Sequence, residues 1–129
     1  MRLTSDPLYR EVTLTASAKQ LAALADAIAG GEGFVESSPP EAGETLVGVE
    51  IRRTPGAGVL IVVDPSRRVL VISGGDRDGR AVLADDVRSV AAAEDGGHLH
   101  VDHFPDHPYV VEGSLSLVVE SPHGGMPRP

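Results

Sequence analysis

The sequence predicts an α+β fold, with a mainly antiparallel sheet of five to six strands and two helices packed on one face. Two observations support this class. The predicted elements follow the order β-α-β-β-β-α-β-β, in which strands adjacent in the chain favour antiparallel pairing. The length of 129 residues suits one domain. We place that domain at residues 1–120 and expect 121–129, which contains Pro and Gly, to be a disordered tail.

The first strand and first helix are predicted near the amino terminus. A β-prone run at 8–14 forms the strand. Ser17 begins the helix, because Gln20 stands three residues later and completes a capping box. An apolar stripe at helical spacing follows, and Gly30 and Gly31 end the helix. The stripe consists of Leu21, Leu24, Ala25 and Ile28.

Three strands are predicted in the middle of the chain. Residues 46–52 alternate in the period-two pattern of a strand with one buried face. Residues 59–63 and 69–73 flank the turn residues 64–67, which include Pro65, and predict a hairpin. The strand at 59–63 is apolar throughout, so we expect it at the centre of the sheet.

The second helix is predicted over about 80–93, with Asp76 or Asp78 as its cap. Strands at 98–103 and 115–120 complete the order, and no internal repeat is evident in the sequence. The buried face of the helix comprises Leu83, Val87 and Val90.

Composition and charge exclude several classes of function. The formal net charge is −8, which opposes approach to a phosphate backbone, so we expect no nucleic-acid binding. The chain has no cysteine, which excludes disulfides, thiolate metal sites and a cysteine nucleophile. The longest aliphatic runs, such as 59–63, are too short for a signal peptide core or a membrane span. A cytoplasmic protein is therefore expected.

One segment concentrates unusual residues. Four of the five histidines and two of the four aromatic residues lie in 98–109. On a strand, His98, His100 and Asp102 would share one face at intervals of about 7 Å. Leu99 and Val101 would point the other way, into the core.

Three interpretations of this segment remain open. His98 and His100 could ligate zinc or a similar ion, with His103 as the third ligand and Asp102 or His107 as alternatives. A His–Asp pair could act as a catalytic base, although no nucleophile motif or phosphate loop accompanies it. The third interpretation is an exposed polar strand face with a Pro-Tyr loop packed over the end of the sheet, and such a face could also bind a partner.

A family resemblance favours the third interpretation. It is carried by three stretches of sequence together with Gly75-Asp76-Arg77-Asp78-Gly79 before the second helix. The three stretches are His98-Leu99-His100-Val101-Asp102, Phe104-Pro105-Asp106-His107-Pro108-Tyr109 and Ser114-Leu115-Ser116-Leu117-Val118. Together they resemble the C-terminal signature of the immunity protein 32 family, over about residues 59–120. The resemblance implies a bacterial protein that binds and neutralises a cognate toxin.

The sequence therefore predicts an acidic immunity protein with no catalysis of its own and no cofactor. The toxin is expected to be basic, because an acidic inhibitor is steered towards a basic partner. Two alternatives stay open: a metal-binding protein or metal-dependent enzyme that uses the His98/His100 strand, and a structural homodimer paired through an edge strand. The predicted partner-binding residues are His98, His100, Asp102, Asp106, His107 and Tyr109.

Overall fold

A computed structural model describes residues 1–6, 10–37, 46–54, 56, 58–75, 77–92, 98–102 and 109–121. Within these ranges the chain forms eight strands and two helices. They are β1 (Arg2–Asp6), β2 (Glu11–Thr15), α1 (Ala18–Gly30), β3 (Gly33–Glu36), β4 (Gly48–Arg52), β5 (Val59–Asp64), β6 (Val69–Gly74), α2 (Arg77–Ala92), β7 (His98–Val101) and β8 (Ser116–Glu120). Ser121, the first residue of the predicted tail, is buried, and 122–129 lie outside the described residues.

The strands form two sheets of four, which we call sheet A (β1-β2-β8-β7) and sheet B (β3-β4-β6-β5). In each sheet the central pair is parallel and the two outer pairs are antiparallel. The α+β class and the two helices are confirmed, but the single, mainly antiparallel sheet of five to six strands is wrong. The parallel pairs β2–β8 and β4–β6 join strands that are distant or non-consecutive in the chain. Periodicity identifies a strand but does not reveal such a partner.

The chain consists of two halves with the same order of elements. The first half is β1-β2-α1-β3-β4 and the second is β5-β6-α2-β7-β8. Each half gives its first two strands to one sheet and its last two to the other, so exchanging the halves exchanges the sheets. The fold is therefore a structural repeat with pseudo-two-fold symmetry, so the expectation of no internal repeat is wrong. The clearest sequence trace is Leu24-Ala25-Asp26-Ala27-Ile28 in α1 and Leu83-Ala84-Asp85-Asp86-Val87 in α2, both starting at the seventh helical residue.

Helix α1 begins and ends as predicted. The Ser17 hydroxyl accepts a hydrogen bond from the Gln20 backbone N–H, and the Gln20 side chain accepts one from the Ser17 N–H. Gly31 ends the helix in the left-handed conformation, at φ 81°, and its N–H donates to the carbonyls of Ala27 and Ile28. The predicted apolar stripe is buried. The two helices pack against each other, and one core cluster joins them to both sheets.

Strand β5 lies at the edge of sheet B, so its predicted central place is wrong. Central β6 is buried along all of its six residues. Strand β5 is apolar because the segment 109–115 covers its outer edge. The Val59 N–H donates to the Tyr109 carbonyl (2.7 Å), and the Leu115 N–H donates to the Ile61 carbonyl (2.9 Å). A covered edge thus has the same apolar pattern as a central strand.

Candidate functional site

The predicted histidine face lies on β7, an edge strand of sheet A. His98 and His100 are exposed, Leu99 packs against the core, and Val101 is buried. The imidazole centroids of His98 and His100 are 5.0 Å apart, with the rings nearly perpendicular at 83°. Asp102 follows the strand and is also exposed. The predicted alternation along this segment is therefore confirmed.

The strand register extends this face across the whole of sheet A. His98 lies beside Glu120, and the same row continues through Thr15 to Arg2. His100 lies beside Val118, in a row that continues through Thr13 to Thr4. A third row contains Asp6, Glu11 and Ser116, and Asp102 extends from β7 towards the same end. We call this polar surface the sheet A face.

The sheet A face is predominantly acidic. It holds two imidazoles, one arginine and four carboxylates, from Asp6, Glu11, Asp102 and Glu120. Neighbouring side chains in a row of a sheet are about 5 Å apart, so these groups present one continuous surface. Such a surface suits contact with a partner that carries positive charge.

Tyr109 is placed apart from the sheet A face. Its side chain is only 7% exposed, and its hydroxyl donates a hydrogen bond to Asp86 Oδ2 on α2 at 3.2 Å. Burial, and after it the negative charge of Asp86, raises the pKa of Tyr109 above its usual value. Tyr109 thus ties the start of the 109–115 segment to α2.

The remaining predicted residues belong to a part of the chain outside the described ranges. Asp106 and His107, and His103 of the alternative metal set, lie outside the described residues. The structure therefore brings together His98, His100 and Asp102. Across the described ranges, no three His, Cys, Asp or Glu side chains are grouped so as to hold a metal ion.

The structure contains a groove beside β3 and β4 that was not predicted from the sequence. Its volume is about 760 Å³, and it is lined by residues 31–34, 50–53 and Arg67. The Phe34 side chain is 52% exposed. Its ring covers Gly48, where a Cβ would lie 2.4 Å from the Phe34 Cζ. The groove therefore combines an exposed aromatic ring with three arginines, Arg52, Arg53 and Arg67.

Glu50 joins two of these arginines. Its Oε1 accepts hydrogen bonds from Arg52 Nη2 (2.8 Å) and Nε (3.3 Å), and its Oε2 lies 2.7 Å from Arg67 Nη1. The contact with Arg67 is an ion pair without good hydrogen-bond alignment. The hydrogen bond from Arg52 is the main reason why the pKa of Glu50 is lowered. One carboxylate between two guanidinium groups leaves this part of the groove net positive.

The local sequence holds little signal for this groove. Phe34 lies in a strand of only four residues, and the alternating pattern of β4 predicts only that Arg52 is an exposed polar residue. Arg67 belongs to the β5–β6 turn and reaches Glu50 only because β6 pairs with β4. Tertiary structure creates the site.

Comparison with family models gave one relevant match. The model of the immunity protein 32 family matches residues 70–122. The suspected resemblance is thereby confirmed over that segment. This matched stretch, which we call the immunity protein 32 segment, contains all of α2, β7 and β8 and all but the first residue of β6. It therefore includes His98, His100 and Asp102 of the sheet A face. Comparisons with the curated proteins and with the solved structures found no match. Neither described helix has the length and apolar character needed to span a bilayer.

Proposed function

We propose that this protein is an immunity protein, which binds a cognate bacterial toxin in the cytoplasm of the producing cell and neutralises it without catalysis. The match of residues 70–122 to the immunity protein 32 family is the observation that carries this proposal. The family match supports a toxin as the partner. The toxin's charge and the contact residues are inferred from this chain.

The sheet A face is the proposed docking surface for a basic toxin. His98, His100 and Asp102 lie at one edge of this face, inside the immunity protein 32 segment. Asp106 and His107 come four and five residues after Asp102 in the chain. Tyr109 contributes by holding the segment 109–115 against α2, because it is too buried to supply much contact area. The carboxylates and the net charge of −8 accelerate encounter with a positively charged partner.

The direct experiment is co-expression with the variable C-terminal domain of a large secreted protein found in a neighbouring gene, as the candidate toxin. We expect the wild-type chain to rescue growth and to co-purify with the toxin. Neither rescue nor a complex would refute the proposed function.

Variants test the docking surface separately. The triple variant His98→Ala, His100→Ala, Asp102→Ala should bind the toxin at least tenfold more weakly, while Glu112→Ala, an exposed acidic change outside this face, serves as the control. Raising the salt concentration should slow association and leave the dissociation rate nearly unchanged, because salt screens the long-range attraction. If the triple variant matched the control, the docking surface would lie elsewhere.

A further inference from the structure

Arg80 is a charged residue in a core position. It is the fourth residue of α2, and the fourth residue of α1 is Leu21, which is fully buried. Arg80 is 7% exposed, and its Nε and Nη1 atoms are buried without a hydrogen-bond partner in the described structure. Burying a charged group without a partner is unfavourable, and packing alone would favour leucine here. The position therefore carries a charge that the fold itself does not require.

A second arginine meets Arg80 at the carboxyl end of α1. A Cβ on Gly31 would lie 1.5 Å from Arg80 Nη1 and 2.8 Å from Arg53 Nε, so the two guanidinium groups converge on this glycine. Arg53 Nη2 donates to the Gly30 carbonyl at 2.8 Å, which satisfies one free carbonyl of the helix end. Among the described side chains, no carboxylate forms an ion pair with either arginine. Two like charges this close repel each other, and an anion bound between them or beside them would relieve that repulsion.

Arg53 lines the groove, and Arg80 lies against Gly31 without lining the groove itself. Gly31 and Arg53 both line it, together with the exposed Phe34 ring and the net positive cluster around Glu50. The planar guanidinium fork matches the two oxygens of a carboxylate. Exposed aromatic and arginine side chains are typical of protein interfaces, whereas the net charge of −8 opposes a nucleic-acid strand.

We propose that the groove binds a carboxylate-bearing segment of a partner protein, with one carboxylate bound by Arg53 and its charge stabilised by the buried Arg80 beside Gly31. The identity of that partner as the toxin rests on the proposed function. The groove would then supply a second contact, opposite in charge to the sheet A face. Arg53 is exposed and contacts the carboxylate, while the buried Arg80 supplies a second positive charge close by.

The test uses the full chain and a fluorescein-labelled hexaglutamate peptide, with binding followed by fluorescence anisotropy at low salt. Arg80→Leu restores the residue type found at the equivalent position of α1 and should bind the peptide at least tenfold more weakly than wild type. Arg53→Gln should weaken binding similarly. Arg77→Leu is the matched control, because it removes the same charge from an exposed site on the same helix, and it should change binding less than threefold.

Urea unfolding of the same variants provides the second measurement. Arg80→Leu should unfold at a midpoint equal to or above that of wild type, since leucine suits a core position. A lower midpoint would show that Arg80 has a structural role and would overturn the proposal. Equal peptide binding by Arg80→Leu and Arg77→Leu would overturn it too. The exposed Arg53→Gln variant gives an independent result: peptide affinity equal to wild type would also overturn the proposal.

Inorganic phosphate distinguishes a free anion from a protein segment. If millimolar phosphate displaces the peptide completely, the pair is a site for small oxyanions and the proposal fails. If the peptide stays bound, the proposal is supported. None of these measurements uses the toxin, so a failed rescue experiment would remove the proposed function and leave this result standing.

Discussion

Stability at alkaline pH should depend on Tyr109. Tyr109 is largely buried, and its hydroxyl donates a partly buried hydrogen bond to the Asp86 carboxylate at 3.2 Å. Ionisation in the folded protein would place a phenolate away from water and beside a negative charge. Burial and Asp86 therefore raise the pKa of Tyr109 in the folded state above that of the unfolded chain.

The sign and size of the effect follow from this difference. A tyrosine in the unfolded chain ionises near pH 10, whereas Tyr109 in the folded chain keeps its proton. Its contribution to stability is thus complete below pH 10 and is lost as the pH rises further. At pH 11 the free energy of unfolding should be about 1.4 kcal/mol lower than at pH 8, because one pKa unit corresponds to about 1.4 kcal/mol.

The matched variant is Tyr109→Phe, which removes the ionisable group and the hydrogen bond to Asp86. At pH 8 it should lower the free energy of unfolding by about 1 kcal/mol, the net contribution of a typical hydrogen bond. Between pH 8 and pH 11 the variant's free energy of unfolding should fall by about 1.4 kcal/mol less than that of wild type. Urea unfolding at both pH values measures these differences.

Phenolate absorption gives a direct check. The chain has two tyrosines and no tryptophan, so Tyr9→Phe leaves Tyr109 as the sole phenol. In that variant the phenolate band should appear only as the protein unfolds. Titration of the folded variant near pH 10, or an unchanged alkaline loss of stability in Tyr109→Phe, would refute the reasoning.

Three further changes test the fold by urea unfolding. Ser17→Ala removes the capping box of α1 and should lower the free energy of unfolding by about 1 kcal/mol, with Ser17→Gly costing less; equal losses would argue against the cap. Gly31→Ala should lower the free energy of unfolding by more than about 1–2 kcal/mol, because Gly31 is left-handed and the added Cβ would meet the Arg80 guanidinium group. Gly30→Ala is its control: the added Cβ faces open space and should not lower stability. Leu83→Ala should cost about 2–5 kcal/mol because its site is fully buried. The adjacent exposed Val82→Ala should change stability little, and a comparable loss there would contradict the assigned helix face.

Features set by neighbouring residues were predictable from the sequence. The capping box of α1 needs only Ser17 and Gln20. The β5–β6 turn is stabilised by Asp64, whose carboxylate accepts hydrogen bonds from the Ser66 and Arg67 N–H groups. The exposed side of β7 follows from alternation alone, which is why His98 and His100 were placed correctly. In each case the information lies within a few residues.

Features set by distant pairing were not predictable. Strand β2 pairs with β8 across about a hundred residues, and no local pattern specifies that register. Strand β5 was misplaced because the segment that covers its edge is far away in the chain. The candidate sites also depend on distant contacts. Tyr109 contacts α2 through its hydrogen bond to Asp86, and Arg53 lies near Arg80 only in the folded chain.

The symmetry of the two halves has a consequence for how the chain can be divided. Each half alone would have two unfinished sheets, each with one antiparallel pair and an unpaired parallel edge. Two identical copies of one half could complete both sheets by exchanging hairpins, as an intertwined homodimer. The present molecule thus has the architecture expected when such a dimer is fused into one polypeptide by gene duplication. Once fused, the two copies need not remain identical, which accounts for Leu21 in α1 and Arg80 at the equivalent position of α2.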